Sequence, residues 1–254
     1  MQQSAQTLSA ILDLGEAMLE AGAEVSRVET AISLLARAYG FTRVNAYTTM
    51  YSIVVSADDP AGDILTQTRR ISRLGNDLHR LEQLNALSRR LCAHPAPAEE
   101  MLAAVRDIHD GPRYPRWLQF CLDLVIPLTM SLFFGGRLPD ALASSACGAV
   151  LWHVERLGNW LEIKSLAHCF FCSLAVGLCA TALVWLFPAL QLSKVIIGNI
   201  MLLISGLALT VSLRDMINGD MITGLLGFSS AVLRAVLIAI GTARAPILLG
   251  GMPL

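Results

Sequence analysis

Between two long apolar runs, residues 213 to 224 read LRDMINGDMITG, and seven consecutive residues there contain Arg214, Asp215, Gly219 and Asp220. The two carboxylates can take up protons or attract a cation, and the guanidinium can pair with a carboxylate of a solute. A second cation, Arg234, interrupts the apolar run AVLRAVLIAIG. A charge at mid-bilayer costs about 2.5–3.5 kcal/mol on insertion scales, so such a residue faces protein or water and needs a partner. Asp123, one to two turns into the first apolar segment, is a candidate. Two readings stay open. Asp123 and Arg234 form a structural ion pair, or Arg234 is the counter-ion of an anionic substrate and Asp123 or Asp220 a protonatable coupling group. Asn199 lies among Ile and Met, beside Gly198 and ahead of Ser205 and Gly206. Small residues let helices approach closely, and interrupted helices near the midplane are where secondary transporters hold substrate. Packing is the alternative for each of them.

The 213–224 stretch also has a plain structural explanation. Asn218 and Gly219 are turn residues, so Ser205, Gly206 and Gly219 mark expected helix breaks. Asp220 would begin one helix and Arg214 end the previous one, where the helix dipole favours an anion and a cation respectively. Of the six cysteines, Cys169 and Cys172 stand with His168 in HCFFC, but no second ligand pair follows. Cys121, Cys147 and Cys179 fall in apolar segments, where a free thiol acts as a small hydrophobe. Neither metal nor cofactor is expected. HExxH, GxSxG and P-loop motifs are absent from the sequence, so an enzyme would have to rest on residues that no motif singles out, and nothing resembles a nucleotide site.

The elements that must carry these residues follow from composition. The 254 residues are 54% hydrophobic and 15% charged, well below the charge of soluble domains, and mean hydropathy is positive. A net charge of −1 argues against a general nucleic-acid binder. Charge of both signs concentrates in residues 1–116, which read as a soluble domain, while 117–254 read as a membrane domain. No positive leader precedes the first amphipathic pattern, so the amino terminus is expected to stay in the cytoplasm.

Leu8, Ile11, Leu12, Gly15 and Met18 recur at helical spacing; AGAE interrupts, and Val25, Val28, Ile32, Leu35 and Tyr39 form a second stripe ending at Gly40. RVNAYTTMYSIVVSADDP predicts one or two strands and ILTQTRRI another. A helical stripe from Leu74 to Leu91 and a helix over 98–109 complete an α+β domain. After DGPRYPRW, whose Trp117 suits a membrane interface, come apolar segments at 117–135, 139–155, 167–187, 194–212 and 222–243. A span takes about 20 helical residues, so four fit and 139–155 is marginal. If all five cross, Arg113, Arg116, Arg156, Lys164 and Arg214 fall on the side of the first domain and Arg137, Lys194 and Arg244 opposite. That bias puts LRDMINGDMITG on the cytoplasmic face.

LGEAMLEAGAEVSRVETAISLLARAYG (14–40), NAYTTMYSIVVS and RDMINGDMITGLL, in this order, resemble the threonine/serine exporter family, and within it the larger subunit of the split bacterial form. RDMINGD and the segment of Gly22, Arg27 and Glu29 carry the most specific part. The resemblance implies a cytoplasmic amino-terminal domain and about five membrane helices in the inner membrane. It also implies a second hydrophobic half, which a separate small membrane protein would supply, since the sequence ends at Leu254. The split form is associated with export of succinate and related C4-dicarboxylates, fused members with threonine and serine. Ser205–Gly206 stand where the family commonly has Pro-Gly, and Gly227 and Ser230 where an Arg and a Glu are usual.

The expectation is therefore an α-helical integral membrane protein with about five transmembrane helices and an N-terminal soluble α+β domain. It would be a non-enzymatic subunit of a secondary transporter exporting small organic anions. Asp123, Asn199, Arg214, Asp215, Asp220 and Arg234 would bind substrate or couple. The alternative of another class is a membrane-anchored sensor or hydrolase acting through the first domain.

Overall fold

The computed structural model describes residues 2–72, 74–111, 114–161, 165–204 and 206–248. Among these, ten helices accompany one three-stranded antiparallel sheet. The chain divides into two compact units: residues 1–112 with 210–227, and 113–209 with 228–254.

In the first unit, α1 (Gln2–Glu20) and α2 (Val25–Ala38) bury the two stripes expected of them. Gly15 lets them meet closely, because a Cβ there would lie 2.8 Å from Ile32 Cδ1. The turn between them is closed by Gly22, whose φ of +95° suits only a residue without a Cβ. The amides of Gly22 and Ala23 bond back to the carbonyls of Leu19 and Met18, the paired bonds that end a helix at a left-handed glycine.

Strands β1 (Thr42–Thr49), β2 (Ser52–Asp58) and β3 (Ile64–Arg70) follow in spatial order β1-β2-β3, with Tyr47 opposite Val54 and Val54 opposite Thr68. Ile53, Val55 and Ala57 alternate inward and join Leu8, Ile11, Met18, Val28, Ile32 and Leu35 in one core. A period-2 strand lying on two 3.6-period stripes gives this layer its inside and outside. The helices α3 (Leu78–Ala93) and α4 (Ala98–Asp110) add Leu84, Leu87, Leu91 and Met101.

The helical stripe predicted from Leu74 begins only at Leu78. The amides of Gly75 and Asp77 bond to the carbonyls of Glu20 and Ala21, so residues 75–77 are held extended against the α1–α2 turn. Asp77 then caps α3 by accepting the Arg80 amide at 3.1 Å.

The remaining helices are α5 (Arg116–Phe133), α6 (Leu138–Trp160), α7 (Ser165–Leu186), α8 (Leu192–Leu203), α9 (Gly206–Ile217) and α10 (Met221–Leu248). Against the about five membrane helices expected, three among the described residues are long and apolar enough to cross a membrane, α5, α7 and α10, or four if α8 and α9 together make one span. Helix α6 has the length, but Asp140, His153, Glu155 and Arg156 interrupt its apolar character. The 194–212 segment is two helices, α8 ending at Leu203 and α9 starting at Gly206, one of the residues expected to break it. The protein is thus a mostly helical multi-pass membrane protein that also carries a small sheet.

In the second unit, Cys147, Leu151, Cys172, Val176, Ala180 and Val195 join α6, α7 and α8. Asp140 ties two helix starts together: its carboxylate accepts the amides of Arg137 at 2.9 Å and Gln191 at 2.7 Å.

Candidate functional site

The 213–224 stretch is the end of α9, a turn and the start of α10. Gly219 has φ +100°, and the amides of Gly219 and Asp220 return to the carbonyls of Met216 and Asp215. This closure ends α9 and leaves Asp220 one residue before α10, where the aligned amides favour its charge. The two helices then run close together. A Cβ on Gly224 would lie 2.7 Å from the Ser212 carbonyl oxygen, and one on Gly227 would run into the Ser212 hydroxyl and lie 3.2 Å from Met50 Sδ. Gly227 therefore has no room for a side chain unless Ser212 moves.

Arg214 reaches the α1–α2 turn, where its Nη1 donates to Glu24 Oε1 at 2.7 Å. Glu24 is the residue before α2, yet its carboxylate does not cap that helix and remains free for Arg214. Arg27 Nε lies 3.6 Å from the other Glu24 oxygen. Glu29, farther along α2, accepts the Thr48 amide at 2.6 Å. Burial pushes the Glu29 carboxyl above its ordinary range; the Thr48 amide opposes this, and the charge of Asp220 adds to it. Asp215 is 4% exposed, and its Oδ1 has no hydrogen-bond partner. Its carboxylate lies in the fields of Asp220, Glu24 and Arg214. Four carboxylates and two guanidiniums thus gather from the start of α2 and the α9–α10 turn.

In the second unit, Pro127 has no amide for the Asp123 carbonyl, which therefore lacks its helical partner. Gly148 of α6 packs directly on that oxygen. Asn199 is fully buried, and its Nδ2 lies 3.0 Å from Ser144 O, Ser144 Oγ and Val195 O. Those oxygens fix the amide orientation, since only the NH2 group can donate to them. The Ser144 hydroxyl in turn lies 3.1 Å from the carbonyls of Pro127 and Val195. Asn199 Oδ1 and the hydroxyl of fully buried Ser131 have no hydrogen-bond partner. Such groups are rare in apolar interiors because each costs about 1–3 kcal/mol when unsatisfied. Gly198 allows this convergence, for a Cβ there would lie 2.5 Å from the Pro127 carbonyl oxygen and 3.2 Å from Ser131 Cβ.

Arg234 lies in α10 with its Nε buried and without a hydrogen-bond partner. Among the described residues, no ion pair joins it to Asp123. Asp123 instead lies within electrostatic range of Glu155 on α6, and Cys169 of α7 within range of both Glu155 and Arg234.

The predicted residues therefore form two groups: Arg214, Asp215 and Asp220 in the first unit, and Asp123, Asn199 and Arg234 in the second. Gly206 is the first residue of α9, and Gly219 closes the α9–α10 turn. Ser205, Arg113 and Lys164 lie outside the described residues. Sequence reasoning missed Glu24, Ser131, Ser144 and Glu155, and named Glu29 only as part of the family resemblance. Glu24 and Glu29 lie in the stretch that carries the family resemblance, which is a usable signal. Ser144 meets Asn199, and Ser131 meets Gly198, only through helix packing, and no spacing announces it.

Comparison with known proteins gives this arrangement its context. The chain is 25% identical over 241 residues to a Mycobacterium tuberculosis protein named probable threonine/serine exporter, a match covering 93% of this chain and 45% of that protein. It is 26% identical over 237 residues to a Klebsiella aerogenes protein named probable succinate transporter subunit YjjP, covering 90% and 88% respectively. The chain thus spans less than half of the first relative and most of the second. No solved structure matches. The ThrE model, that of the threonine/serine exporters, matches residues 9–248, nearly the whole chain with both groups of residues inside it, and the chain belongs to that family.

Proposed function

We propose that this chain is a subunit of a secondary transporter that exports small organic anions, succinate or related C4-dicarboxylates, across the bacterial inner membrane. Residues 1–116 face the cytoplasm as a soluble domain, and a small membrane protein supplies the second transmembrane half. The observation that carries the reading is the set of buried polar groups inside apolar helices: Asn199 Oδ1, the Ser131 hydroxyl and Arg234 Nε are buried without hydrogen-bond partners. An anchor has no use for them, because it would bear their cost without gain. Arg234 supplies the charge an anionic solute needs, and Asn199 with Ser131 supplies hydrogen bonds as the solute sheds water. Asp123, whose own backbone carbonyl Pro127 frees, is a protonatable group on α5, the helix that carries Ser131. Asp215 and Asp220 gate or couple at the cytoplasmic mouth.

The partner is supported by the 88% coverage of a relative whose name calls it a succinate transporter subunit. Export of threonine or serine is the second reading, favoured by the match of 93% of this chain to a relative named for those amino acids.

The test is efflux of labelled succinate and threonine from bacteria lacking their native exporters, with the chain expressed alone and with its small partner. Loss of succinate from the cells only when both are present is the expected result. Efflux of threonine alone moves the substrate to the amino acids. Absence of efflux in every combination overturns the transporter reading.

A further inference from the structure

The α1–α2 turn and the 213–224 stretch are nearly 200 positions apart in the chain, yet charged groups join them. Glu24 has only 14% of its side chain exposed and accepts Arg214 at 2.7 Å, while Arg214 remains 54% exposed. With the guanidinium half in water, solvent screens the attraction, so the pair has little value as a general brace. Its geometry has a more specific effect. Arg214 is the last basic residue of α9 and precedes Asp215 directly. The Arg214, Met216 and Asp215 carbonyls accept the amides of Asn218, Gly219 and Asp220 respectively. Fixing the Arg214 side chain therefore fixes the turn that presents both carboxylates.

The groups facing this turn are Glu24, Arg27 and Glu29 from the start of α2, Arg214 and Asp215 from α9, Asp220 from the turn itself, and the Thr48 amide of β1, which holds Glu29. Four carboxylates against two guanidiniums would repel one another without a specific anchor. Among the described residues, the Glu24–Arg214 contact is the one direct ion pair that joins the α1–α2 turn to α9.

We propose that Arg214 does not bind the exported solute, and that Glu24 acts through Arg214 as a positioning residue, holding the Asp215–Asp220 turn where transport requires it. This rests on the exporter reading and deepens it: the unit of residues 1–112 contributes to transport through Glu24.

The test uses full-length chain with its partner and four variants: Glu24→Asp, Glu24→Gln, Arg214→Gln and the exchange Glu24→Arg with Arg214→Glu. Two readouts are taken, efflux from cells and amide hydrogen exchange of residues 213–224 in purified protein. Glu24→Gln and Arg214→Gln are expected to lower efflux about fivefold or more, the lower range of coupling between distinct sites. They should also speed exchange at Asn218, Gly219 and Asp220, while Glu24→Asp stays near wild type and confirms that the site tolerates change. The charge exchange should recover both readouts, which a guanidinium that contacts solute could not do. Unchanged exchange in the two Gln variants overturns the anchor. Faster exchange with normal efflux overturns its role in transport, and an exchange variant that recovers protection but not efflux returns Arg214 to the solute. If wild type exports nothing, the functional reading fails, while the exchange data still decide whether the anchor exists.

Discussion

Glu29 shows how opposing local forces set one group's behaviour. Burial and the nearby charge of Asp220 favour its neutral form, while the Thr48 amide favours its anion, and the net effect raises its pKa. A carboxyl whose folded pKa lies above its unfolded value contributes stability below the unfolded pKa of about 4.3 and loses that contribution as pH rises through the folded value. Glu29→Gln keeps an oxygen for Thr48 and cannot ionise. Thermal unfolding in detergent between pH 4 and 7 should therefore show a flatter pH dependence for this variant, with its gain over wild type confined to the upper end. Equal slopes for both proteins would mean that Glu29 does not titrate differently on folding. Asp220 stands one residue before α10, and among the described residues no ion pair involves it. Asp220→Asn keeps the shape of the turn and should abolish efflux with protein still present in membranes; normal efflux would remove Asp220 from the transport path.

Among the elements, α8 is governed by its glycine. Gly198 brings the backbone of α8 against the Pro127 carbonyl and Ser131, and Asn199 then reaches the Ser144 backbone. Gly198→Ala should overpack this contact at a cost of about 1–3 kcal/mol. The expected sign is a lower unfolding temperature of the purified protein, with a parallel loss of efflux. Gly206→Ala is the control, since no atom lies within 4 Å of a Cβ built there. If both substitutions have the same effect, close approach at Gly198 is not what orders the Asn199 network. The α9–α10 hairpin follows the same principle through Gly224 and Gly227, so its small residues set the separation of two helices.

For the whole molecule, the question is which side of the membrane each part meets. If all five apolar segments cross, the excess of Arg and Lys on one side of them predicts a cytoplasmic first unit. A fluorescent protein fused before Gln2 should therefore be bright, and alkaline phosphatase fused at the same place inactive. The reverse pattern would invert the topology and place the α9–α10 turn on the far side. The count of spans matters to that outcome, because α6 is long enough to cross but carries Asp140, His153, Glu155 and Arg156.

The sequence by itself determined the local order. Period-3.6 stripes in α1 and α2, the turn residues before β3 and the apolar runs from residue 116 onward each report a local preference that the final packing respects. It also determined that the charged residues of 213–224 are exceptional, because so few charges occur in the second half of the chain. Only the tertiary structure decided their partners. Glu24 meets Arg214, and Ser144 meets Asn199, across 190 and 55 positions of chain. Such pairings depend on how helices pack, which no local period encodes. The late start of α3 has the same origin, since backbone bonds from residues 75 and 77 to the α1–α2 turn override a helical stripe that local spacing alone would extend to Leu74.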